Sequence, residues 1–224
     1  MRRAFGALKS ARMVIGVDRL DYSKGIIPRL AAFERYMLDH PEARGRVTML
    51  QIAPPSRAEV PEYAELDRAT DEMAGRINAS LAEIDWSPIR VVKKSYMRGV
   101  LAGLYRRAAV GLVTPMRDGM NLVAKEYVAS QDPADPGVLV LSRFAGAAQQ
   151  LHGALIVNPY DVMEVADAIT RALAMSLDER VERHKGLIAN VTREDIMWWR
   201  RGFLNALKSV PAVGRCLPSP RAAA

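Results

Sequence analysis

The 224-residue chain has one cysteine, three histidines and no run of eighteen apolar residues. Cys216 sits in a terminal stretch with Pro211, Pro218 and Pro220, where it can neither staple a fold nor build a metal site alone, which suits a reducing compartment. His40, His152 and His184 are scattered in helical or loop contexts and are read as surface or core residues. No Asp-x-Asp pair or His–carboxylate cluster offers a divalent metal a cage, so metal ligands are assigned to none. The glycine-rich phosphate loops are missing too, both Gly-x-Gly-x-x-Gly after the first strand and Gly-Lys-Ser/Thr. Any phosphate must then be met by cationic side chains and helix amides. Met1 is followed by Arg2 and Arg3 without an apolar core and small-residue cleavage site, and nothing is long and apolar enough for a membrane helix, so the chain reads as cytoplasmic.

A surplus of charge in the body is also lacking. The formal charge of +7 is accounted for by Arg2, Arg3, Lys9 and Arg12 at one end and Lys208, Arg215 and Arg221 at the other, which leaves residues 13–207 neutral. A nucleic-acid groove presents a basic stripe interleaved with aromatics on the folded body, and no such stripe is visible. The composition, half apolar and a quarter charged, is that of an ordinary globule with a well-buried core.

What is present is a rhythm of short β-branched runs and longer helical patterns, the signature of βαβ units. Strands are expected at Met13 to Val17, Val47 to Ala53, Ile89 to Val92, Val110 to Thr114, Val138 to Leu141 and Leu155 to Val157. Helices are expected at Pro28 to Asp39, with Leu30, Phe33, Met37 and Leu38 on one face, at Val60 to Leu81, at Arg98 to Arg107, and at Leu122 to Ser130 with Asn121 as its N-cap. Two or three more fill Val162 to Leu207, where Trp198 and Trp199 are assigned to core or interdomain packing. Residues 1–12 read as a short amphipathic helix, with Phe5, Leu8 and Ala11 inward, left from an interdomain connection. Residues 13–209 read as the domain and 210–224 as a disordered tail. The economical fold is α/β, a doubly wound parallel sheet of Rossmann-like type, which places ligands at the carboxyl ends of the strands.

The polar residues of interest fall there. Arg19 and Lys24 share the loop after the first strand and suit a diphosphate, the guanidinium as a planar fork and the ammonium as a mobile point charge; the same two could equally pair locally with Asp18 and Asp21. The loop Thr114 to Asn121 leads from a strand into a helix, with Gly119 freeing the backbone for close approach to a ligand. Asp118 can accept from sugar hydroxyls and Glu126 from a vicinal diol such as a ribose. An Arg117–Asp118 ion pair and an exposed Glu126 are the structural alternative, and two carboxylates also raise glycoside hydrolysis, which has less use for a cationic diphosphate grip. After the second strand, Ser56 and Arg57 face the same rim.

The segments Val17 to Gly25, Gln51 to Arg57, Gly75 to Asn78, Val110 to Ala129, Gly137 to Ser142 with Phe144 to Ala148, and Asn158 to Asp161 resemble the hallmark segments of the trehalose-6-phosphate synthase family of glycosyltransferases. The resemblance covers about Met13 to Leu207. It implies one half of a glycosyltransferase B fold, the carboxyl-terminal, donor-binding domain of an enzyme that moves glucose from UDP-glucose to glucose 6-phosphate with retention, without a metal or other cofactor. It implies that Arg19 and Lys24 hold the diphosphate; that Asp118 and the backbone of Gly119, Met120 and Asn121 hold the glucose; that Leu122, Val123, Ala124 and Lys125 offer main-chain contacts; that Glu126 takes the ribose; that Ile52 and Tyr96 border the uridine; and that Arg57 reaches the acceptor's phosphate. Front-face attack, with the departing phosphate helping to take the acceptor's proton, is the implied chemistry. The implied partners are UDP-glucose and glucose 6-phosphate, with a homo-oligomer admitted and neither nucleic acid nor membrane involved. Most of the acceptor site belongs to an amino-terminal half that the match does not include, so a donor-binding remnant or half-enzyme is the alternative.

Overall fold

In the computed structural model, which describes residues 11–56 and 59–209, the apolar runs form strands because both of their faces are covered. Strand β1 (Arg12–Val17), β2 (Val47–Ile52), β3 (Ile89–Val92), β4 (Val110–Val113), β5 (Val138–Ser142) and β6 (Leu155–Val157) build one sheet in the order β3-β2-β1-β4-β5-β6, and every pairing is parallel. The doubly wound expectation therefore holds, and the order reverses between β1 and β4, where such sheets open a crevice at their carboxyl ends. Alternate residues of β1, β2, β4 and β5 enter opposite cores: Val14, Met49 and Val140 join one apolar cluster, and Met13, Ile15 and Leu141 the other.

The first cluster is closed by α1 (Ile26–Asp39), α2 (Pro61–Leu81) and α5 (Val162–Ala174); the second by α3 (Arg98–Arg107), α4 (Leu122–Ser130) and α6 (Leu177–Arg193). The stripe Ile26, Leu30, Phe33 and Met37 of α1 is buried, at the spacing that puts one helix face on a sheet. Leu38 does not belong to it. It lies about 100° round the helix from Met37 and is 54% exposed, against expectation. Arg12, expected at the end of a helix, is instead the first residue of β1.

The chain divides into two compact units, residues 1–191 and 192–224. In the second, helix α7 (Ile196–Ser209) has no buried residue, and Trp199 stacks on Phe203 at 5.3 Å; neither Trp198 nor Trp199 is in a core. Expectations for residues 1–10, for Arg57 and for 210–224 lie outside the described residues. Among the described residues no helix is long and apolar enough to cross a membrane.

Candidate functional site

The site is built from the loops that leave β1 and β4, and a buried arginine ties them to the sheet. Arg29, on the inner face of α1, has a wholly buried side chain that donates to Asp18 Oδ2 (2.7 Å), Gln51 Oε1 (3.1 Å), Thr114 Oγ1 (3.0 Å) and the Lys24 carbonyl (3.0 Å). These partners stand at the ends of β1, β2 and β4 and in the β1–α1 loop, so one guanidinium fixes the rim of three strands. Burial pushes the Asp18 carboxyl above the usual carboxylate range, and the charge and hydrogen bonding of Arg29 only partly offset it. Asp18 is therefore committed to Arg29 and is not the local partner of Arg19 and Lys24.

Asp21 is not their partner either. It caps a short 3-10 turn, Tyr22–Lys24, by accepting from the Ser23 amide (2.9 Å) and hydroxyl (2.7 Å). Partial burial pushes its carboxyl up, but the Ser23 bonds prevail and hold it below the ordinary value. The turn ends at Gly25, whose φ of 65° is left-handed and whose added Cβ would stand 2.6 Å from the Thr114 carbonyl oxygen, so only glycine fits. Here the loop meets its neighbour: the amides of Met116 and Arg117 both donate to the Ser23 carbonyl, at 2.8 and 3.3 Å. That docking sets Lys24 Nζ 2.7 Å from Asp118 Oδ2, both side chains mostly buried. Arg117, expected as an alternative partner of Asp118, is exposed.

Asp118 is held from three further sides. Asn121 Nδ2 donates to Oδ2 (3.1 Å), the Met120 amide to Oδ1 (3.4 Å), and the Asp118 amide itself donates to the Phe144 carbonyl (3.1 Å). Asn121 caps α4 as expected, its side chain accepting from the Ala124 amide at 3.0 Å. A Cβ at Gly119 would meet nothing within 4 Å, so the backbone there borders open space, and it is Asn121 that takes the left-handed conformation, with φ 74°. A close approach within the chain lies at Gly146, whose Cβ would stand 2.1 Å from the Gly119 carbonyl oxygen. Ala124, expected to offer a main-chain contact, has its amide taken by the cap and its side chain wholly buried. Leu122 and Val123 stand in the same first turn, where amides lack partners inside the helix; Leu122 is 59% exposed and Lys125 half-buried.

Beside this pair opens a cavity of about 230 Å³ lined by Val17, Asp18, Arg19, Ile52, Pro54, Ser95, Tyr96, Leu101, Tyr105, Val123 and Glu126. Five residues singled out from the sequence thus meet in one place: Arg19, Ile52, Tyr96, Val123 and Glu126. The cavity has an apolar floor and a cation and a carboxylate at its mouth, since Arg19 and Glu126 are exposed. Arg29 and Tyr105 were missed. Arg29 falls at the spacing of the apolar stripe of α1, and a charge on a buried face is the signal that could have found it. Tyr105 looks like any core aromatic. Among the described residues no group of three or more His, Cys, Asp and Glu side chains could hold a metal ion.

A parallel doubly wound domain with converging polar residues where its strand order reverses belongs to the Rossmann-like class of ligand-binding domains. The match to the model of glycosyltransferase family 20 spans residues 4–209, and the chain is a member of that family. It is 56% identical over 207 residues to the trehalose-6-phosphate synthase of Sinorhizobium fredii, covering 92% of this chain and 45% of that protein. It is similar to the UDP-forming α,α-trehalose-phosphate synthase of Burkholderia xenovorans in complex with glucose 6-phosphate, with 51% identity, a TM-score of 0.89, and 92% and 45% of the two chains covered. The Escherichia coli protein bound with UDP-2-fluoro glucose gives 46% identity, a TM-score of 0.89 and coverage of 94% and 47%. The chain thus spans under half the length of each.

Proposed function

We propose that this chain is the donor-binding half of a retaining glycosyltransferase that carries glucose from UDP-glucose to glucose 6-phosphate and forms trehalose 6-phosphate. The observation that carries the reading is the cavity at the strand ends, where Arg19, Ile52, Tyr96, Val123 and Glu126 converge beside the Lys24–Asp118 pair. Relatives bound with UDP-2-fluoro glucose and with glucose 6-phosphate supply the two substrates. In this reading the uracil lies between Ile52 and Tyr96, the ribose against Glu126, and the diphosphate over Arg19, Lys24 and the first amides of α4.

Lys24 rests on Asp118 in the structure. A diphosphate carries more charge than one carboxylate, so it draws the ammonium toward itself and frees Asp118 to accept from glucose hydroxyls. As the bond from the anomeric carbon to the diphosphate lengthens, negative charge grows on the leaving oxygen, and Arg19, Lys24 and the α4 amides stabilise it. The glucose, flattened and cationic in character, is held by Asp118. The acceptor hydroxyl approaches from the face the diphosphate leaves, and the departing phosphate oxygen takes its proton, which retains the α configuration. Glycoside hydrolysis has no corresponding use for the cationic grip.

Arg57 is the one acceptor contact assigned to this chain, and the chain spans under half of its relatives, so the 224 residues by themselves are read as binding the donor without turnover. Calorimetric titration with UDP and UDP-glucose tests the site. Arg19→Glu is expected to abolish measurable binding, since it replaces an attraction to the diphosphate with a repulsion; unchanged UDP affinity would overturn the assignment. Synthesis of trehalose 6-phosphate by the purified chain would overturn the half-site reading.

A further inference from the structure

One wall of the donor cavity holds a polar group with nothing to bind. Tyr105, on α3, is 2% exposed, its ring packs edge-on against Tyr127 at 6.2 Å, and Gln131 Nε2 fastens its carbonyl at 2.7 Å. Its hydroxyl is buried and has no hydrogen-bond partner among the described residues. Native cores rarely leave such a group unmet, because it has given up water for nothing in return. The carboxylates close enough to act on it are those of Glu126 and Asp18, which line the same cavity. Asp18 is committed to Arg29, whereas Glu126 stands exposed at the mouth.

Glu126 and Tyr105 are complementary in hydrogen bonding. A carboxylate only accepts, and a phenol can donate. A sugar hydroxyl has one proton to give and lone pairs to fill, so it is satisfied by one partner of each kind. We propose that Tyr105 reads the ribose of the bound nucleoside diphosphate, its hydroxyl donating to a ribose oxygen whose own proton goes to Glu126. Burial, with the nearby charges of Glu126 and Asp18, pushes the phenol far above its ordinary pKa and keeps it a donor at any working pH. The inference rests on the donor-site reading above and adds to it a second ribose contact on a different helix from the first.

The test is calorimetry on the 224-residue chain and its Tyr105→Phe variant, each titrated with UDP and with 2′,3′-dideoxy-UDP, which lacks both ribose hydroxyls. Phenylalanine keeps the ring and its packing on Tyr127, and a thermal melt checks that the fold is intact. The expected result is that the parent chain prefers UDP, and that the variant loses about tenfold in UDP affinity, the worth of one good hydrogen bond in a closed site, while its affinity for the dideoxy compound stays within about twofold. Equal weakening of both ligands would mark a packing role, and no weakening would mark no role; either overturns the inference and leaves the donor site standing. A parent chain that binds UDP and the dideoxy compound alike overturns it as well. Failure of the parent chain to bind UDP at all would sink the donor reading and this inference together.

Discussion

Arg29→Met is the substitution that asks most of the structure. The methionine fills much of the same space but removes every donor from a side chain with no exposed surface, leaving Asp18 with a carboxylate only 3% exposed and its ion-pair partner gone. Gln51 Oε1, Thr114 Oγ1 and the Lys24 carbonyl lose a donor at the same time. Breaking a buried ion pair from one side costs about 3–5 kcal/mol. For a chain of this size that is a fall in melting temperature of roughly 6–20 °C. Urea unfolding followed by circular dichroism measures it. Most of the loss comes from the stranded carboxylate, so adding Asp18→Asn should return at least half of it. The sign with pH follows from the same source. The folded-state pKa of Asp18 is raised, so its protonation favours the folded chain, and the stability this brings is present at low pH and lost as pH rises through the folded value. Without Arg29 the pKa rises further, and the deficit of the variant should be largest near neutrality and shrink as pH falls toward the ordinary carboxylate range. A deficit below about 1 kcal/mol, or one that neither Asp18→Asn nor acid relieves, would refute the view that Arg29 holds the rim by neutralising Asp18.

Two further outcomes are expected. Gly146→Ala puts a Cβ 2.1 Å from the Gly119 carbonyl oxygen, a backbone atom that cannot rotate away, so it should cost about 1–3 kcal/mol and weaken UDP binding by displacing the 118–121 loop; an unchanged melt and affinity would show that the two loops do not depend on each other. Asp21→Ala removes the cap of the 3-10 turn and should cost about 1 kcal/mol at neutral pH. Because the carboxyl of Asp21 is held below its ordinary value, its contribution is present above the unfolded-state pKa and lost as pH falls through the folded one, so urea midpoints of variant and parent should converge in acid; a deficit independent of pH would contradict the capping role.

The elements were legible because their causes are local. The boundaries of β3, α3, α4 and β6 follow from the sequence pattern as observed, and Asn121 declares the start of α4 by the hydrogen bond its side chain can make three residues on. The alternation of strands and helices dictates a parallel sheet, and a parallel sheet dictates where ligands go, so Arg19 and Glu126 could be named before their cavity was seen, whereas Ile52, Tyr96 and Val123 came from the family resemblance. The pairing of charges was not legible in this way. Arg19 and Lys24 stand beside Asp18 and Asp21 in sequence, yet Lys24 pairs with Asp118, 94 residues on, and Arg29 reaches Thr114, 85 residues on. Such contacts exist only when β1 and β4 lie side by side and their loops dock backbone to backbone at Ser23.

The sequence by itself determined the elements, their parallel order of connection and the rim at which the candidate site residues gather, since these depend on propensity, periodicity and handed crossovers that act over a few residues or a single βαβ unit. Tertiary structure alone decided which carboxylate neutralises which cation, which glycine admits its neighbour's carbonyl and which residue lining the strand-end cavity keeps a buried hydroxyl without a hydrogen-bond partner among the described residues. Those outcomes turn on separations of a few ångströms between residues far apart in the chain, and no local rule carries that information.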